Sequence, residues 1–169
     1  LGLGTYSGTD GETLSFTVST VELNAIKAFV SMGTQTSNTF LRFIDSAVID
    51  MATNGIAAGT VQASDVYADT IEPTLTSFSV SMVESSETLT VTFDETVDSG
   101  TINTGGITLQ NSGSSDAVSH RLQGATTSSP DGTIFVISMP KADVDELKRL
   151  GICITTSNCF ANMATSTID

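Results

Sequence analysis

The chain has 169 residues, with 19 acidic residues against 6 Lys and Arg, and its formal net charge at pH 7 is −13. So acidic a balance argues against binding to nucleic acids or to an anionic membrane surface, because Lys and Arg carry both interactions. No segment approaches the roughly 18 consecutive apolar residues of a membrane-spanning helix, so the sequence predicts no membrane insertion.

Short stretches of alternating apolar and polar residues occur along the whole chain. This period of two is typical of β-strands with one buried and one wet face. The predicted strands lie at residues 14–18, 40–44, 57–68, 78–82, 89–93, 107–109, 118–122 and 135–139. Many short strands with regular turns favour a mainly β fold, specifically a β-sandwich.

A short helix is predicted after each of the strands at 14–18 and 135–139. Ser19 and Glu22 have the spacing of a capping box at the first helix, and Pro140 stands at the start of the second. The apolar faces are formed by Leu23, Ile26 and Phe29, and by Val144, Leu147 and Leu150.

The chain also repeats itself at a spacing of about 120 residues, which is typical of repeat architectures. The aligned stretches are 10–18 with 131–139, 21–27 with 142–148, 36–40 with 156–160, and 46–50 with 165–169. The offset falls from 121 to 120 to 119 through two deletions. We therefore expect residues 1–68 to be the C-terminal half of one repeat and residues 69–169 to be the next repeat without its last strand or strands.

Three stretches resemble a known family. Residues 69–75 (Asp-Thr-Ile-Glu-Pro-Thr-Leu), 89–98 and 107–110 look like the "DTTPPTL … LTLTFSETVD … ITLQ" pattern of bacterial-type Ig-like tandem repeats. Such repeats occur in long extracellular surface proteins of marine bacteria, cyanobacteria and microalgae. The resemblance implies Ig-like β-sandwich repeats, here with one short helix each, located at the cell surface or in a secreted filament.

The resemblance also implies a calcium site, because Ig-like arrays often stiffen their junctions with Ca²⁺ as cadherins do. The candidate ligands near the predicted linker are Asp50, Asn54, Asp65, Asp69 and Glu72. They carry the oxygen ligands that Ca²⁺ prefers. Turn chemistry is the alternative explanation for these residues. A second acidic cluster at Asp94, Glu95 and Asp98 could also bind Ca²⁺. The alternative is that Glu95 accepts backbone hydrogen bonds and the other two carboxylates are solvated.

Cys153 and Cys159 lie six residues apart across a turn-forming loop. In an extracellular protein this arrangement favours a disulfide, and the alternative is two free thiols packed as small apolar side chains. A zinc site is disfavoured because His120 is the only histidine. His120 alternates with Val118 and Leu122, which favours a packing role over general-base catalysis.

No catalytic motif is present, so we expect no enzymatic activity. The sequence favours a non-catalytic structural module of an extracellular tandem-repeat or filament-forming protein. Its expected partners are neighbouring copies of the repeat, head to tail, either in one covalent array or as a polymer in which residues 51–68 complete the next subunit. The alternative is a calcium-dependent adhesive or carbohydrate-binding module that uses Tyr6 and Tyr67 on glycans.

Overall fold

The computed structural model describes residues 5–6, 10–29 and 31–164, and this part of the chain is mainly β, as predicted. It forms two compact units, Leu1–Ile71 and Glu72–Asp169. The aligned stretch 165–169, part of the predicted repeat, lies outside the described residues.

The first unit contains four short strands and one helix. In chain order these are β1 (Thr5–Tyr6), β2 (Phe16–Thr17), α1 (Thr20–Lys27), a 3₁₀ turn (Thr36–Asn38), β3 (Phe40–Phe43) and β4 (Gly59–Gln62). β1 pairs with β2 and β3 pairs with β4, both antiparallel. The Oγ atom of Ser19 accepts a hydrogen bond from the backbone N–H of Glu22 at 3.2 Å and caps α1. The helix ends at Lys27, so Phe29 lies beyond the face predicted for it.

The second unit has longer elements and two sheets. They are β5 (Leu75–Val83), β6 (Ser86–Val97), β7 (Ile107–Gln110), β8 (Ser119–Arg121), β9 (Thr126–Thr127), β10 (Gly132–Ser138), α2 (Lys141–Leu150), a 3₁₀ turn (Thr156–Asn158) and β11 (Phe160–Met163). One sheet has the strand order β5-β6-β10-β9 and the other has the order β11-β7-β8. Every pair is antiparallel.

Residues from both sheets and from α2 form one hydrophobic core in the second unit. On the β6–β10 ladder Leu89 lies opposite Ile137 and Val91 lies opposite Phe135, and all four side chains are buried. Phe135 also contacts Phe93 edge-to-face at 6.1 Å between ring centres. The other core side chains come from the end of β6, from β7, from α2 and from the segments that follow β8, β10 and α2: Val97, Ile107, Leu109, Leu122, Ala125, Met139, Val144, Leu147 and Ile152. Burial of these apolar faces is the main stabilising contribution to this unit.

Local structure recurs between the units at the offsets seen in the sequence. α1 and α2 begin 121 residues apart, and the two 3₁₀ turns and the strands β3 and β11 begin 120 residues apart. Each 3₁₀ turn is capped in the same way, because Asn38 and Asn158 accept hydrogen bonds from the backbone N–H of Gln35 (3.1 Å) and Thr155 (2.8 Å). The shared sequence thus encodes the same local geometry twice.

Candidate interaction surface of the first unit

The pairing of β1 with β2 repeats the pairing of β9 with β10. In the first unit Thr5 lies opposite Thr17 and Tyr6 opposite Phe16. Adding 121 to each number gives the pairs of the second unit, Thr126 with Ser138 and Thr127 with Ile137. β1 is therefore the counterpart of β9, and β2 the counterpart of β10.

The two ladders differ in their neighbours. β10 has β9 on one edge and the long strand β6 on the other. Within residues 5–6, 10–29 and 31–71, β2 pairs with β1 and with no other strand. Among these residues, the edge of β2 that corresponds to the β6 side of β10 is therefore without a strand.

A second open edge lies along β3. The backbone N–H of Ala63 donates to the carbonyl of Thr39 at 2.9 Å, so odd-numbered residues of β3 direct their backbone groups at β4. In the second unit the N–H of Ala164 donates to the carbonyl of Gly106 at 3.1 Å, so even-numbered residues of β11 face β7. β3 and β11 are equivalent at the offset of 120, which keeps even numbers even. β4 and β7 therefore pair with opposite edges of this equivalent strand. β3 therefore lacks a β7-type neighbour in the described first unit.

Side chains that are buried in the second unit have exposed counterparts in the first. Ile137 is 0% exposed, whereas Phe16, its counterpart at the offset of 121, is 64% exposed. On the helices Val144 is 1% exposed and its counterpart Leu23 is 43% exposed. Every described residue of the first unit is at least partly exposed to solvent. This unit therefore has an apolar face without the layer that covers its counterpart.

An open cavity of about 840 Å³ lies against this face. Tyr6 and Phe16, whose ring centres are 5.5 Å apart, line it from the β1–β2 ladder. The other apolar lining side chains are Leu14, Ala47, Val48, Ile49, Met51 and Ile56. The acidic residues Asp10, Glu12 and Asp50 also line it. We call this cavity, together with the free edges of β2 and β3, the open face of the first unit.

The predicted calcium ligands Asp50 and Asn54 lie together in one loop. The Oδ1 atom of Asp50 accepts hydrogen bonds from the backbone N–H groups of Ala52 and Asn54, both at 2.8 Å, and Oδ2 accepts one from Nδ2 of Asn54 at 3.0 Å. The side chain of Asn54 is the largest influence holding the pKa of Asp50 below its usual value. Its backbone N–H acts in the same direction. These contacts are the turn chemistry that was the alternative explanation for the two residues.

The remaining candidate ligands, Asp65, Asp69 and Glu72, lie outside this loop in the sequence. Asp69 forms an ion pair with Nζ of Lys27 at 2.5 Å and accepts a hydrogen bond from the N–H of Ile71. Asp65 is exposed in an irregular segment, and Glu72 belongs to the second unit. Among the described residues, no three His, Cys, Asp or Glu side chains form a group that could hold a metal ion. Calcium binding stays a prediction.

In the structure Cys153 and Cys159 form a disulfide across the loop that contains the turn Thr156–Asn158. The equivalent turn of the first unit, Thr36–Asn38, is followed by Thr39 where the second unit has Cys159. The turn therefore forms with and without the cross-link.

A buried carboxylate that the sequence analysis missed lies at the start of α2. Asp143 is 1% exposed, and its Oδ1 lies 2.8 Å from Nε2 of His120. Both carboxylate oxygens also accept from the backbone N–H of Gln123, at 3.1 and 2.9 Å. These contacts join α2 to β8 and to the segment after it. His120 is thus part of a hydrogen-bond network that joins β8 to α2.

No local signal identified Asp143, because an acidic residue in the first turn of a helix is ordinarily explained by the helix dipole. The contact between Asp143 and His120, the only histidine, would have identified the site, but that contact forms only in the tertiary fold. The repeat alignment included Asp10, Leu14 and Phe16 of the open face, but the sequence did not show which strand edges were occupied.

Comparisons with protein-family models, with curated proteins and with solved structures give no significant match to this chain. The assignment of function therefore depends on the internal repeat and on the geometry above. Nowhere in the described part of the chain does a helix combine the length and apolar character needed to cross a membrane.

Proposed function

We propose that this chain is a non-catalytic structural module of an extracellular tandem-repeat or filament-forming surface protein. We assign it to Ig-like repeats with a β-sandwich architecture and one short helix each. The two sheets of the second unit, which contribute to one core together with α2, support that assignment.

One observation carries the proposal. The β1–β2 and β9–β10 ladders have the same register at the offset of 121 that relates their sequences. Repetition of sequence, strand register and helix start at one offset is expected of a module used many times in one assembly. The net charge of −13 supports this role, because like-charged modules repel each other and keep an array soluble and extended.

The mass and location of the native polypeptide test the proposal. An antibody raised against this chain should detect, in extracts of the source cells, a polypeptide far heavier than 17.5 kDa, or a polymer of chains of that mass. Protease treatment of intact cells should remove the signal. A protein of 17.5 kDa that remains monomeric at high concentration, or one that protease cannot reach in intact cells, would contradict the proposal.

A calcium-dependent adhesive or carbohydrate-binding module is the second candidate. Tyr6 lines the cavity and Tyr67 is 93% exposed, so both aromatic rings favoured by the sequence are available at the surface of the first unit. Aromatic rings of this kind stack on sugars, and Ca²⁺ bridges sugar hydroxyls. Binding of the isolated chain to a glycan array, abolished by Tyr67→Ala or by a chelator, would favour this candidate over the structural module.

A further inference from the structure

We propose that the open face of the first unit binds the first half of another copy of the repeat, a chain segment equivalent to residues 72–130. This segment carries β5, β6, β7 and β8 and ends with β9, which would take the place of its counterpart β1. The inference rests on the proposed function, because it names the partner that neighbouring copies supply to one another.

The first argument is backbone pairing at two separate edges. In the second unit β6 pairs with β10 and β7 pairs with β11, and residues 72–130 supply both strands. The equivalent edges of β2 and β3 are the two edges that the described first unit leaves without strands. One segment therefore satisfies both edges through hydrogen bonds that the second unit already shows.

The second argument is apolar complementarity. In the second unit Leu89 and Val91 of β6 lie opposite Ile137 and Phe135, and burial on both sides is complete. The counterparts of Ile137 and Phe135 are Phe16 and Leu14, which line the open cavity. A β6-type strand at this position would cover both side chains and place its own apolar residues in the cavity.

A polar contact points to the same occupant. The Oδ1 atom of Asp131 accepts hydrogen bonds from the backbone N–H (2.9 Å) and the hydroxyl (2.8 Å) of Ser99, which follows β6. Asp10 is the counterpart of Asp131 and is exposed at the lining of the cavity. It is placed to accept from a second Ser99. The occupant therefore matches in strand pairing, in apolar surface and in one specific polar contact.

An extended chain tests the proposal. A second copy of residues 72–130 replaces residues 1–9 and is joined directly to Asp10, so that its β9 stands in for β1 and the junction reproduces the Pro130–Asp131 sequence of the second unit. Phe16→Cys is introduced into the original and the extended chain, and its reaction with a thiol reagent is followed without reductant, since Cys153 and Cys159 are disulfide-bonded. We expect the reaction to be at least about tenfold slower in the extended chain, because a buried group reacts only through local opening.

Val21→Cys is the matched control. The exposed fraction of Val21, 68%, is similar to that of Phe16, 64%. Unlike the counterpart of Phe16, the counterpart of Val21 in the second unit, Ala142, is exposed. Its labelling rate should therefore be the same in both chains. Equal slowing at both positions would indicate non-specific association and overturn the proposal, and so would unchanged labelling of Phe16→Cys.

Two further measurements do not depend on a cysteine at β2. In the unmutated extended chain the amides of β2 should become protected against hydrogen exchange. Asp10→Ala should lower the unfolding midpoint of the extended chain and leave that of the original chain unchanged. If the β2 amides stay unprotected and Asp10→Ala leaves the unfolding midpoint of the extended chain unchanged, the inference is overturned. A native polypeptide of unexpected mass or location would contradict only the proposed function.

Discussion

Asp143 provides the sharpest test of how the second unit is held together. Asp143→Ala removes the acceptor of the Gln123 N–H, and a buried donor left unpaired costs about 1–3 kcal/mol. Loss of the bond to His120 adds about 1 kcal/mol, since that ring is partly exposed and water replaces the carboxylate in part. Removal of a negative charge from the first turn of α2 costs about 0.3–1 kcal/mol more. Together we expect a destabilisation of about 3 kcal/mol.

Asp145→Ala is the control on the same helix. Its carboxylate forms an exposed ion pair with Lys141 at 3.2 Å, an interaction worth less than about 0.5 kcal/mol. Native-state hydrogen exchange at the amides of β6 and β10 measures opening of the second unit alone. Exchange should accelerate about a hundredfold in Asp143→Ala, because each 1.4 kcal/mol corresponds to about a factor of ten, and less than about threefold in Asp145→Ala. Equal acceleration in the two variants would refute the role assigned to Asp143.

Three further predictions concern the loops. Replacing both Cys153 and Cys159 with Ser should cost about 2 kcal/mol in urea unfolding through loop entropy, with an unchanged circular dichroism spectrum; a lost fold would contradict this. The pKa of Asp50 is lowered, so its support for the loop is present above the unfolded-state pKa and is lost as pH falls through the lower folded-state pKa. An NMR titration should show this low pKa, and Asn54→Ala should return it towards the usual value. If the predicted junction site binds Ca²⁺, millimolar calcium should raise the melting temperature above that in chelator, Asp69→Asn should reduce the rise, and equal melting temperatures would count against the site.

The sequence alone determined what depends on near neighbours in the chain. Alternation of apolar residues located most strands, and the Ser19 cap located the start of α1. Pro140 and the apolar face of Val144, Leu147 and Leu150 located α2. The strand β11 was not predicted from alternation, although its first residue lies in the aligned stretch 156–160. These features follow from backbone propensity, capping and side-chain period, which a short window of sequence contains. The mainly β class followed from them.

Tertiary structure decided which of these elements are covered. Phe16 and Ile137 occupy equivalent places in the same pattern, yet one is largely exposed and the other is fully buried. Alternation of apolar and polar residues indicates which face of a strand is apolar. Burial of that face depends on a second layer of structure, which comes from residues far along the chain. For the same reason the sequence did not identify the role of Asp143, because its hydrogen-bond partners are 20 and 23 residues away. Contacts across such separations depend on how the sheets pack, and local sequence does not encode that packing.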